Sequence, residues 1–179
     1  MVYSFQGVTP KIHPSVFQAP NSSIVGHVEL AQDCSVWFNV VIRGDVNSIQ
    51  IGSGTNIQDG SILHVTYKTA SLKIGANVTI GHMAMLHGCT IEDFVLIGMR
   101  ATVMDHAEIG KESLIGAGAL VIQGTKIPPR TLAMGSPAKV IRPLTKQEID
   151  FLHQSAENYK QYVKWYREGG FTEKGQRSL

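Results

Sequence analysis

The chain has little charge, few aromatic side chains and only two cysteines, and these shortages exclude several classes of protein. Charged residues make up 17% of the 179 residues and leave a net charge of +2. This charge is too small for the basic surface of a typical nucleic-acid-binding protein. Cys34 and Cys89 are too few for a disulfide framework. The longest apolar run, residues 114–122, contains two glycines and is too short to span a membrane. The N-terminal segment lacks the charged start and apolar stretch of a secretory signal, so we expect a cytoplasmic globular protein.

What the chain has in abundance is an aliphatic residue at every sixth position. Seventeen positions share this period, in four blocks: Ile24, Leu30, Val36 and Ile42; Ile51, Ile57 and Leu63; Ile74, Ile80 and Leu86; and Ile91, Ile97, Val103, Ile109, Ile115, Val121 and Ile127. A strand alternates every two residues and a helix every 3.6, so neither gives this period alone. A short strand plus a corner does, and three such faces close a triangular coil of about 18 residues. The period therefore predicts nearly six coils of a parallel β-solenoid, stacked at the ~4.8 Å spacing of neighbouring strands.

The pattern changes after Pro143. Thr145 and Glu148 have the spacing of a capping box, and apolar residues then follow at three- and four-residue steps, as on one face of a helix. A helix without a sheet of its own should lie along the solenoid wall. The predicted division is a β-helix over residues 1–143, a C-terminal helix over 144–170 and a flexible tail over 171–179.

Two histidines fall in one column of the predicted solenoid. His64 and His87 each follow an inward aliphatic residue of the third face, one coil apart. His82 lies on the second face, round a corner, with Asp59 directly beneath it. Two stacked imidazoles are half of a zinc site, which usually has three protein ligands and a water. In a three-fold trimer, His82 of a neighbouring subunit would complete the site, although spacing alone also fits a ladder of exposed surface histidines.

The residues around these histidines resemble the gamma-class carbonic anhydrases. The resemblance rests on Arg43-Gly44-Asp45 and on the runs 56–64 and 81–89, and it extends over about residues 8–168. It is strongest to the short bacterial members, often labelled ferripyochelin-binding or hexapeptide transferase-like. It implies a left-handed β-helix, a homotrimer with metal sites at its interfaces, and reversible hydration of CO2 to bicarbonate. The implied metal is Zn²⁺, with Fe²⁺ or Co²⁺ as alternatives, held by residues matching His64, His82 and His87.

The resemblance also places four polar residues near the metal or in the interface. Arg43 is expected to pair with an acidic side chain across the interface or to hold an anionic product. Asp45 and Asp59 are expected to orient ligands or water, unless each is simply a turn residue at a corner. Gln58 is expected to hydrogen-bond to the reactive hydroxide and aim it.

Proton transfer is where the chain departs from the founding type of that family. The founding type carries a glutamate just after the Arg-Gly-Asp stretch and an acidic loop near the first histidine. Val46 and residues 67–70 occupy these places here, so both carboxylates are missing. We therefore expect any hydration of CO2 to be limited by proton release, with no histidine assigned as the relay.

Two other classes of function remain open from the sequence. One is a hexapeptide-repeat acyltransferase with an acyl-CoA donor, in which His64 or His106 would act as the base. Residues 135–138, Gly-Ser-Pro-Ala, resemble a motif near the acyl-donor groove of such enzymes. The other is a metal-binding trimer without catalysis.

Overall fold

A computed structural model describes residues 1–171, in which twenty β-strands precede one α-helix. Most strands are only two or three residues long, because each forms one side of a triangular coil. In chain order the elements are β1 (Val2–Tyr3), β2 (Lys11–Ile12), β3 (Phe17–Gln18), β4 (Ser23–Leu30), β5 (Ser35–Val36), β6 (Val41–Ile51), β7 (Asn56–Ile57), β8 (Ile62–His64), β9 (Leu72–Ile74), β10 (Thr79–Ile80), β11 (Met85–His87), β12 (Thr90–Ile91), β13 (Leu96–Ile97), β14 (Thr102–Val103), β15 (Glu108–Ile109), β16 (Leu114–Ile115), β17 (Leu120–Val121), β18 (Lys126–Ile127), β19 (Thr131–Gly135), β20 (Ala138–Pro143) and α1 (Lys146–Glu168).

The strands stack into three parallel faces. The second face is a sheet in the order β3-β5-β7-β10-β13-β16-β19, closed at its end by the antiparallel strand β20. The first and third faces form one 12-stranded sheet, because β4 and β6 are long enough to run round the corner between them. This arrangement confirms the predicted parallel β-solenoid. The seven parallel strands of the second face mark seven coils.

The sixfold period builds the core. All seventeen periodic aliphatic residues are buried, none more than 5% exposed. The structure has one coil more than the period predicts, because two positions in the terminal coils are not large aliphatics. Gln18 is in register with Val36 in the first coil, and Ala133 is in register with Ile115 in the last.

Helix α1 runs along the second face from the last coil to the first. Its 23 residues span about 35 Å, close to the height of seven stacked coils at ~4.8 Å each. The predicted capping box of Thr145 and Glu148 is present at its start. Near its end, Arg167 donates a hydrogen bond to the Ser15 carbonyl at 3.1 Å. Trp37 packs against the helix, with its ring centroid 5.6 Å from that of Tyr159.

Two further observations concern membrane-spanning helices and the residues that follow α1. No helix within residues 1–171 is long and apolar enough to cross a membrane. Phe171, just beyond the helix, lies with its ring centroid 5.1 Å from that of Tyr166. From residue 172 onward the predicted flexible tail lies outside the described residues.

Candidate metal centre

His64 and His87 lie side by side at the end of the third face. Strands β8 and β11 pair in parallel with His64 in register with His87. The two ring centroids are 5.0 Å apart, and His64 Nδ1 is 3.0 Å from His87 Nε2. Both side chains are partly buried.

A carboxylate faces the outer nitrogen of each ring. Asp45 Oδ1 lies 3.0 Å from His64 Nε2, and Asp105 Oδ1 lies 2.6 Å from His87 Nδ1. Thr66 donates its hydroxyl to the other oxygen of Asp105 at 2.7 Å. An ionised carboxylate can only accept hydrogen bonds, so the outer nitrogen of each imidazole carries the ring proton.

The two inner nitrogens therefore face each other with their lone pairs. A neutral imidazole has a single ring proton, and the outer contacts use it in both His64 and His87. Two lone pairs at 3.0 Å repel each other unless a cation lies between them or one ring takes up a second proton. Two nitrogens bound to one tetrahedral zinc ion lie about 3.3 Å apart, so the donor set fits a metal ion.

His82 lies elsewhere on the same chain, at the corner after the second face. Its Nδ1 is 3.0 Å from Asp59 Oδ2, because the strands that precede the two residues are in register. This contact leaves Nε2 as the nitrogen available to a ligand. In the part of the chain that the structure describes, no three His, Cys, Asp or Glu side chains form a group that could hold a metal ion. One chain thus brings together His64 and His87 and keeps His82 apart.

Hydrogen bonds keep the two partly buried carboxyl groups, Asp45 and Asp105, ionised. Burial opposes the ionisation of Asp45, but hydrogen bonds from Arg43 and His64 outweigh burial and lower its pKa. Burial likewise opposes ionisation of Asp105, whose pKa is lowered by hydrogen bonds from Thr66 and His87. Burial lowers the pKa of His64 despite the nearby Asp45 carboxylate, which favours the neutral imidazole that metals bind.

The other two residues expected near the metal lie on either side of the centre. Arg43 contacts Asp45 within the chain, and its guanidinium remains about half exposed. Gln58 is buried on the His82 side, where its amide donates to Asn56 Oδ1 at 3.2 Å. Gln58 and His82 both line a groove of about 390 Å³ between the second face and α1.

Sequence reasoning does not single out Asp105 or Thr66. Leu86 pairs with Val103, so the residue aligned with His87 is Met104, and Asp105 lies one step beyond the column. Gly88 is the sequence feature that could have pointed to Asp105. A Cβ at this position would lie 2.3 Å from Asp105 Oδ1, so a glycine directly after His87 lets the carboxylate reach the ring.

Comparisons with known proteins show which family the chain belongs to. Residues 88–123 match the model of the bacterial transferase hexapeptide family, described as six repeats. The chain is 48% identical over 155 residues to gamma carbonic anhydrase 1, mitochondrial, from Arabidopsis thaliana, covering 84% of this chain but 56% of that protein. It is 44% identical over 167 residues to a carbonic anhydrase of Geobacillus kaustophilus, covering 93% and 91% of the two chains. The chain thus spans little more than half the length of the plant relative and nearly all of the bacterial one.

A solved structure also matches over nearly the whole chain. A protein of Bacillus cereus, described as a putative acetyltransferase, is 43% identical with a TM-score of 0.90 over 94% of this chain and 97% of the other. The chain belongs to the gamma carbonic anhydrase family of hexapeptide-repeat proteins.

Proposed function

We propose that the protein is a metal-dependent carbonic anhydrase that catalyses the reversible hydration of CO2 to bicarbonate. The observation that carries this proposal is the pair of inner nitrogens on His64 and His87, 3.0 Å apart with both outer nitrogens held by carboxylates. The names of the relatives from Arabidopsis thaliana and Geobacillus kaustophilus support it independently.

Three imidazoles would hold the metal. His64 Nδ1 and His87 Nε2 supply two ligands from one subunit, and His82 Nε2 supplies the third from a neighbour. A three-nitrogen set suits Zn²⁺, and Fe²⁺ or Co²⁺ as alternatives. When bound, such an ion lowers the pKa of a coordinated water toward neutrality. Asp45 and Asp59 each fix the ring orientation of the histidine that they contact.

Exposed apolar side chains support the assembly of a homotrimer. Ile62 and Met85 stand on the third face beside the histidine pair, and Met83 and Met99 stand near His82. All four side chains are at least 40% exposed, an unusual exposure for such residues on both sides of a site. In a three-fold trimer the two patches cover each other and bring His82 to the His64–His87 pair of the next chain.

The remaining polar residues have roles that follow from their positions. The exposed part of Arg43 is available to bicarbonate or to a carboxylate of the partner, while Asp45 keeps it oriented. Gln58, on the same side as His82, would enter the site with it and present its amide to the reactants.

We expect the metal-loaded protein to hydrate CO2 and to lose this activity when a chelator removes the metal. Stopped-flow hydration with a pH indicator, together with elemental analysis, measures both quantities. His87→Ala should lose metal and activity, whereas His153→Ala, on the outer helix, should keep both. Acetyl transfer from acetyl-CoA by the metal-free protein, without CO2 hydration by the loaded one, would support the acyltransferase alternative instead.

The second prediction concerns proton release. Val46 stands at the edge of the site, 36% exposed, where the founding type of the family has a carboxylate. We expect added imidazole buffer or the change Val46→Glu to raise turnover about two- to fivefold, because either supplies a further proton acceptor. Metal content should not change. A rate that responds to neither, with metal fully bound, would mean that a step other than proton release is limiting.

A further inference from the structure

At the corner below the His64–His87 pair, strand β6 has an insertion that lies opposite His27 of strand β4. Between two paired positions of β4 and β6, β4 has only His27 where β6 has the four residues 45–48. The insertion carries Asp45 toward His64. The backbones approach closely here, since a Cβ on Gly44 would lie 2.5 Å from the His27 carbonyl oxygen. His27 is therefore held directly under the segment that supports the metal centre.

The insertion and His27 enclose a cleft with the N-terminal hairpin. The cleft has a volume of about 230 Å³, and Phe5, His27, Asp45 and Val46 are among its lining residues. Phe5 and Val8 exchange two backbone hydrogen bonds of 2.9 Å, which fix the hairpin over the cleft. A water molecule takes up about 30 Å³ of liquid volume, so the cleft has room for a short chain of waters. His27, one of the lining residues, is exposed.

The carboxylates nearest to the histidine pair are already engaged. Asp45 is bonded to Arg43 and His64, and Asp105 to Thr66 and His87. These hydrogen bonds use both oxygens of each carboxylate, so neither group offers an unengaged oxygen to a transferred proton. Within residues 1–171 the His27 ring makes no hydrogen bond, and the nearby Glu29 is already paired with Lys11 at 2.8 Å.

We propose that His27 is the proton-transfer residue of this enzyme, an inference that rests on the proposed hydration of CO2. Each hydration releases one proton. The neutral His27 ring accepts it through waters of the cleft, becomes an imidazolium, and returns to neutral by giving the proton to a buffer base. No electrons are exchanged, and the ring ends each cycle as it began.

Exchange of ¹⁸O between labelled CO2 and water, followed by mass spectrometry at chemical equilibrium, tests this inference. The method yields two rates: interconversion of CO2 and bicarbonate, and release of labelled water, which alone requires a proton to be delivered. His27→Ala should lower the second rate about tenfold and leave the first unchanged. Imidazole buffer should restore it, as should Val46→Glu added to the same variant, because Val46 lines the same cleft.

His153→Ala is the matched control. His153 lies on α1, where it contacts Glu112, and does not line the cleft, so its loss should change neither rate. His27→Gln provides a second variant with a side chain of similar size that cannot carry the proton. Unchanged release of labelled water in both His27 variants, or an equal loss in His153→Ala, would overturn the assignment. A metal-loaded wild-type protein that shows no interconversion would overturn the proposed function itself.

Discussion

Alanine at His64 or at His82 is expected to abolish metal binding in a uniform trimer, whereas a mixture of the two variants should recover about one quarter of the sites. Each variant alone lacks one ligand at every interface. In a mixed trimer, a subunit that keeps His64 and His87 can stand next to one that keeps His82. One complete site then forms in every trimer that contains both variants.

The recovered fraction follows from counting. With equal amounts of the two variants and random assembly, about three quarters of trimers are mixed, and each has one complete site out of three. Elemental analysis after joint refolding, or after coexpression with two different tags, measures this fraction. The control is a mixture of His64→Ala with His87→Ala. Both substitutions remove a ligand from the same side of the interface, so this mixture should form no complete metal site.

Two outcomes would contradict the shared site. Metal content that stays at zero in every mixture would show that the ligands are not divided between chains. Full metal in a monomer of the wild-type protein would show the same. Either result would also remove the main argument for a trimer, since the structure of one chain keeps His82 apart from the other two histidines.

The fold could be predicted from the sequence because each six-residue repeat of the aliphatic pattern corresponds to one face of a coil. Six residues per face put every aliphatic side chain inside, so counting along the chain identified the faces, the coils and the residues that stack. The same counting put His64 below His87 and Asp59 below His82, and the strand registers place them so. Counting works wherever each coil repeats the one beneath it.

Counting fails where a coil departs from the period, and these departures are at the candidate site. The step from Ile42 to Ile51 is longer than six residues, which indicates an insertion but not that its first residue, Asp45, reaches His64. The sequence also does not reveal which face of the solenoid α1 packs against. It depends on pairs distant in sequence, such as His153 Nε2 with the buried Glu112 at 3.0 Å. No local pattern contains these contacts.

Asp105, which lies outside the predicted columns, gives the sharpest test of how the centre is held. We expect Asp105→Ala to weaken zinc binding by about 10- to 100-fold, because His87 loses the acceptor that fixes its proton on Nδ1 and its Nε2 lone pair toward the metal. Thr66→Val, which removes only the hydroxyl that orients Asp105, should cause a smaller loss. Competition with a chromophoric chelator measures the affinities. Asp93→Ala, which removes a carboxylate bonded to the Ala76 amide at another corner, should leave zinc affinity unchanged. Equal affinities in Asp105→Ala and the wild-type protein would show that Asp105 does not orient His87 as a metal ligand.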